Sequence, residues 1–90
     1  MLERDVSIIN ALGLHARAAA KLVRLAGSFR SSVTLIRSDT SVSADGKDIL
    51  SILNLAAGFG IRLSIIADGE DEIEAMDAIE KLFADKFGEE

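Results

Sequence analysis

The only histidine of the chain, His15, lies in the stretch Gly13-Leu14-His15-Ala16-Arg17, and there is no cysteine, tyrosine or tryptophan to share chemistry with it. A neutral imidazole is a nucleophile toward phosphorus, and a free imidazole, with a pKa of ~6.5, is largely neutral at the pH of a cytoplasm. Arg17 stays cationic, and a guanidinium matches the oxygens of a phosphoryl group. His15 also stands where turn residues give way to a helical pattern. The first N–H groups of a helix, here those of Ala16, Arg17 and Ala18, lack intrahelical partners and sit at the positive end of the helix dipole, so this helix start is an anion site. Dipole stabilisation of an anion is worth about 0.3 to 1 kcal/mol, and a charge-assisted hydrogen bond about 1.5 to 3. Terms of that size steady a phosphoryl group without trapping it, which suits a reversible carrier. The plainer reading makes His15 a helix cap and Arg17, Lys21 and Arg24 a solvated helix face. Position alone does not separate the two.

The missing residue types exclude much else. Without cysteine there is no thiol nucleophile, disulfide scaffold or thiolate metal site, and one histidine leaves no transition-metal centre to propose. Glu70, Asp71, Glu72 and Glu74 read as first-turn acids of a helix rather than metal ligands, and Gly58-Phe59-Gly60, with no following lysine, reads as a turn rather than a nucleotide loop. No metal and no cofactor are expected. The net charge of −5 hides an asymmetry, because residues 1–67 carry eight basic and five acidic side chains, net +3, and residues 68–90 carry two and ten, net −8. A mild basic excess without stacking aromatics is not a nucleic-acid footprint. The opening Met1-Leu2-Glu3-Arg4-Asp5 lacks the layout of a signal peptide, and the longest apolar region, Ile49 to Ile61, is broken by Ser51, Asn54, Gly58 and Gly60 and is too short to insert in a membrane. A soluble, cytoplasmic monomer is the expectation.

Positioning His15 requires a folded scaffold. Ninety residues, 49% hydrophobic and 28% charged, can close one core and leave no room for a second, so residues 1–90 are expected to form a single domain. Val6 and Ile8 alternate with polar neighbours, predicting a strand from Leu2 to Ile9 that ends in the turn Asn10 to Gly13. From Ala16 to about Ser28, Ala19, Leu22, Val23 and Ala26 fall at helical spacing, with Arg17, Lys21 and Arg24 on the opposite face. Strands are predicted at Ser32–Arg37, Ser41–Ala44 and Ile61–Ala67, and a short helix at Ile49–Leu55. Asp48 would cap that helix, which carries more apolar residues than one buried stripe can hold. A last helix starts at Glu70-Asp71-Glu72 and carries Ile73, Met76, Ile79, Leu82 and Phe83 at spacings of three and four, through about Phe87. The order βαββαβα predicts an α+β fold, a four-stranded antiparallel sheet covered on one face by three helices.

Leu12-Gly13-Leu14-His15-Ala16-Arg17, followed by Ala18-Ala19, resembles the active-site signature of the HPr family, the histidine-containing phosphocarriers of the bacterial phosphotransferase system. The resemblance spans the chain, because the element order is that of the family and Lys47 to Asn54 with the strand after Gly60 resembles its second half. It implies an HPr-like open-faced sandwich that is a substrate of enzymes rather than an enzyme. His15 would take a phosphoryl group on Nδ1 from enzyme I, itself charged by phosphoenolpyruvate, and pass it to an EIIA-type acceptor. Arg17 would be the phosphate partner. The family's exposed apolar patch, which docks enzyme I, maps onto Ile49, Leu50 and Leu53, flanked by Ala20, Lys21, Arg24 and Lys47, whereas Ile52 reads as core.

Two positions depart from the family pattern. Ala18 stands where proline is usual; alanine keeps the helix and restores an N–H donor while loosening the turn. Asp48 stands where many Gram-positive members carry a serine phosphorylated by a dedicated kinase, a modification that an aspartate cannot receive. Two other functions stay open on sequence grounds. One is a regulatory, nitrogen-type paralogue whose phosphorylated and free forms bind different targets; the other is an interaction module that keeps the fold without the carrier chemistry.

Overall fold

Alternation of buried and more exposed positions along the strands builds the sheet. The computed structural model describes residues 1–89; Glu90, the last position of the expected domain, lies outside the described residues. The elements run β1 (Leu2–Ser7), α1 (Ala16–Gly27), β2 (Ser32–Arg37), β3 (Ser43–Asp45), α2 (Ile49–Asn54), β4 (Arg62–Asp68) and α3 (Glu72–Ala84), followed by a 3₁₀ turn at Lys86–Gly88. The four strands form one antiparallel sheet in the order β1-β4-β2-β3. Val33 and Leu35 on β2, Ala44 on β3, and Leu63, Ile65 and Ala67 on β4 are buried on one face, while their alternate neighbours point to the other. Ala18, Ala19, Leu22 and Ala26 of α1, Ile52 of α2, and Met76, Ile79 and Phe83 of α3 close over the buried face. Three of the five alanines of α1, Ala18, Ala19 and Ala26, are fully buried. No helix among the described residues is long and apolar enough to cross a membrane.

The structure carries the predicted antiparallel sheet and three helices, with several boundaries corrected. The strand β1 stops at Ser7 rather than Ile9, although Ile8 still donates to Ile61 O at 2.9 Å and accepts from Gly60 N–H at 2.8 Å. The strand β3 spans Ser43–Asp45 rather than Ser41–Ala44, because Ser41 turns with a φ of 61° before the ladder with Thr34–Ile36 begins. The helix α3 ends at Ala84, short of Phe87, because Lys86 and Phe87 both adopt a φ of 56°, which no right-handed helix continues through. Ile73, placed on the core stripe by its spacing, is 60% exposed, since the stripe that meets the sheet is Ala75, Met76, Ile79 and Phe83.

One carboxylate ties the α1–β2 connection to the start of α3. Asp71 accepts from the Arg30 N–H at 2.9 Å, the Ser31 N–H at 2.9 Å and the Ser31 hydroxyl at 2.5 Å. The approach is tight enough that a Cβ on Gly69, whose φ is 154°, would lie 2.6 Å from the Ser31 Oγ. The Ser31 hydroxyl first, and then the Arg30 N–H, hold the Asp71 carboxyl down at about 2, below its ordinary 3.8. A carboxyl depressed in the folded state stabilises the fold above its unfolded pKa and loses that contribution as pH falls through the folded value. The melting temperature of the wild type should therefore exceed that of Asp71→Asn by a constant margin above pH 5, and the margin should shrink as pH falls from about 4 to about 2. Thermal melts of the two proteins across that range measure it.

Candidate functional site

Two loops decide where α1 begins. The Leu14 N–H donates to Ala57 O at 2.9 Å, and the Gly13 N–H donates to Asn10 O at 3.1 Å, closing the Asn10–Gly13 turn. The buried Asn10 side chain donates from Nδ2 to Gly13 O at 2.9 Å and fixes the turn from inside. Gly13 takes a φ of 68°, and a Cβ on it would sit 2.7 Å from Gly58 Cα and 2.8 Å from Ala57 O, so only glycine permits this approach. The residue delivered to the helix start is His15. It is the N-cap of α1, with extended backbone, and its carbonyl accepts the Ala19 N–H at 2.8 Å.

The imidazole has partners of opposite kind on its two nitrogens. Nδ1 accepts the Arg17 N–H at 3.3 Å, and Nε2 is hydrogen-bonded to the Glu89 carboxylate. Glu89 also accepts from Asn10 Nδ2 at 3.1 Å, and these two hydrogen bonds, that from His15 foremost, hold its carboxyl below the usual range. An ionised carboxylate can only accept and a backbone N–H can only donate. The single neutral tautomer that satisfies both carries its proton on Nε2 and its lone pair on Nδ1. The ring, 28% exposed, thus holds a basic nitrogen at the positive end of α1, and that arrangement can accept an electrophilic phosphorus.

The remaining predicted residues distribute unevenly. Ala16 and Arg17 are exposed in the first turn, and Ala18 is fully buried there, its methyl in the core. On α1, Ala20 is half-buried and Arg24 exposed. Lys21 is partly buried, its Nζ donating to Phe87 O at 2.6 Å, and Lys47 Nζ donates to Phe29 O at 2.9 Å; both cations hold backbone carbonyls as well as contributing charge. On α2, which packs against α1, Leu50 is 69% and Ile49 37% exposed, while Leu53 leans on the core. Ile52 is fully buried, as its spacing predicts. Asp48 caps α2, its Oδ1 accepting from the Leu50 N–H at 3.0 Å and the Ser51 N–H at 3.4 Å.

Sequence reasoning missed Glu89 and Asn10. By sequence the tail is bulk negative charge and the asparagine a turn former. Phe87 stands four residues after Phe83, so its spacing continues the helical stripe, and nothing in the local pattern past Gly88 directs Glu89 to His15.

Comparison with known proteins bears on the whole scaffold. Residues 2–85 match the profile of the family described as PTS HPr component phosphorylation site. The phosphocarrier protein HPr of Cupriavidus necator is 53% identical over 89 residues, covering 99% of this chain and 98% of that protein. A crystal structure of HPr-C-His from Thermoanaerobacter tengcongensis superposes with a TM-score of 0.93 at 37% identity, covering 100% of this chain and 99% of that one. A crystal structure of an HPr dimer from the same organism superposes with a TM-score of 0.78 at 36% identity, covering 99% of this chain and 100% of that one.

Gly13→Ala tests the loop contact. A left-handed φ costs a non-glycine residue about 1 to 2 kcal/mol, and the collision with the Gly58 backbone adds to it. The variant should unfold at lower denaturant with an unchanged slope, and the His15 ring resonances should move.

Proposed function

The chain belongs to the HPr family of phosphocarrier proteins, and we propose that it takes a phosphoryl group on His15 Nδ1 from enzyme I and passes it to an EIIA-type acceptor. The observation that carries this reading is the histidine at the N-cap of α1, with Nδ1 accepting the Arg17 N–H and Nε2 set against the Glu89 carboxylate. In the forward step, the Nδ1 lone pair forms the bond to phosphorus while the phosphorus–donor bond breaks and its electron pair leaves with the donor. The phosphoryl oxygens gather near the first-turn N–H groups of Ala16, Arg17 and Ala18, and the exposed Arg17 guanidinium folds onto them. The Arg17 N–H gives up Nδ1 as an acceptor and becomes free for an oxygen. Transfer to the next protein is the same step reversed on a different acceptor.

Docking falls to the apolar surface of Ile49 and Leu50, with Leu53 at its margin and Arg24 supplying positive charge toward acidic partners. Lys21, Lys47 and Ala20 frame it. The partner surfaces therefore meet a locally basic, apolar face rather than the acidic last segment. Residues 1–90 act as one carrier domain, monomeric and cytoplasmic, and Asp48 closes the route of serine phosphorylation at that position.

Incubation with enzyme I and phosphoenolpyruvate, followed by phosphorus NMR, should give an acid-labile phosphohistidine that is absent in His15→Ala. An unlabelled wild type, or equal labelling of the variant, sinks the carrier reading in favour of an interaction module. Arg17→Ala should slow acceptance roughly 10- to 100-fold, the worth of a charge-assisted hydrogen bond. Position 18 gives a second test. Its N–H belongs to the unpartnered first turn, so Ala18→Pro should keep the label and gain about 0.4 to 1 kcal/mol in denaturant unfolding by stiffening the unfolded chain.

A further inference from the structure

We propose that Glu89 is a positioning residue for phosphoryl transfer, holding the His15 ring by its Nε2–H and pairing with the charge the ring gains when Nδ1 bonds phosphorus. This rests on the carrier reading of His15 and adds to it a residue outside the 2–85 span that matches the family profile.

The carboxylate is built into place. Lys86, Phe87 and Gly88 adopt φ values of 56°, 56° and 78°, a left-handed turn that reverses the chain after α3. Two non-glycine residues in that region persist only where the surroundings enforce them. Here Phe87 is buried to 1% exposure and meets the Phe83 ring edge-on at a centroid distance of 4.9 Å, while Lys21 Nζ grips the Phe87 carbonyl. The Glu89 N–H then donates to Lys86 O at 2.9 Å, and the side chain, 14% exposed, spans Asn10 Nδ2 and His15 Nε2. Asn10 is itself locked to Gly13 O, so the carboxylate is held from both ends.

The electron count gives the contact its purpose. When Nδ1 donates its lone pair to phosphorus and the donor leaves with the electron pair of the broken bond, Nε2 keeps its proton and the ring becomes an imidazolium. Glu89 then faces a cation where it had faced a neutral ring. A contact that strengthens along the reaction accelerates it, whereas one equally strong throughout does not.

Two variants separate orientation from charge. Glu89→Gln keeps a carbonyl acceptor for Nε2–H and loses the charge; Glu89→Ala loses both. Nitrogen-15 NMR of the unphosphorylated ring should show the Nε2–H tautomer in the wild type and Glu89→Gln, and a mixture in Glu89→Ala. Acceptance from enzyme I should lose about tenfold in kcat in Glu89→Ala with KM for enzyme I nearly unchanged, Glu89→Gln recovering part of the loss. An unchanged tautomer in Glu89→Ala, or unchanged or faster acceptance, overturns the proposal; faster acceptance would make the carboxylate a competitor for the phosphoryl site. A wild type that takes no label brings down the carrier reading itself. Failure of the Glu89 role alone shows only in the variants, against a wild type that labels.

Discussion

The hydrogen bond from the Leu14 N–H to Ala57 O sets the geometry of the reactive end of this molecule. It joins the loop that precedes α1 to the loop that precedes β4, and it is possible only because Gly13 lets the two backbones touch. The same pair of loops is sewn further back by Ile8, which both donates to Ile61 and accepts from Gly60. The start of α1 is thereby registered against the central strand of the sheet. A histidine one residue earlier or later would leave the N-cap, and its ring would lose the Arg17 N–H that identifies Nδ1 as the basic nitrogen. The chemistry of the side chain is thus a property of backbone registration more than of the residue alone.

The charge of the chain has a comparable internal logic. The acidic last segment looks like a solvating tail when counted, yet several of its acids are engaged across the fold. Asp71 binds the α1–β2 connection, Glu80 meets Arg4 at 2.8 Å, and Glu89 lies on His15. What remains exposed around the site is the face carrying Arg17, Arg24 and the apolar residues of α2, so the potential a partner meets is set locally and has little to do with the net −5.

Period-two alternation on β2 and β4 and the three-four spacing of α1 were legible because burial acts on them directly, and the resulting sheet and helix order follows from local pattern. The N-cap roles of His15 and Asp48 were legible for the same reason: both need only the residue type and the place where a helical period begins. Lys21 and Lys47 were legible as charges but not as anchors, since nothing local reveals that Lys21 reaches the Phe87 carbonyl and Lys47 the Phe29 carbonyl. Ile73 misled because three-four spacing marks a stripe without saying which edge of it meets the sheet. Glu89 was hidden most completely. Its partner is 74 residues away in sequence, and the turn that brings it back runs through two left-handed non-glycine residues that propensity alone disfavours.

The strand order β1-β4-β2-β3 has a consequence for how the molecule comes into being. The edge strand β1 is made before β2 and β3, and the neighbour it needs, β4, is made after them. Until residues 62–68 have emerged, β1 has no partner strand, and the Leu14–Ala57 contact that places the start of α1 has no β4 behind it. Pairings of such long sequence separation form late and all together. A nascent chain can therefore display its histidine but not its reactive geometry, which arises only when β4 closes the sheet.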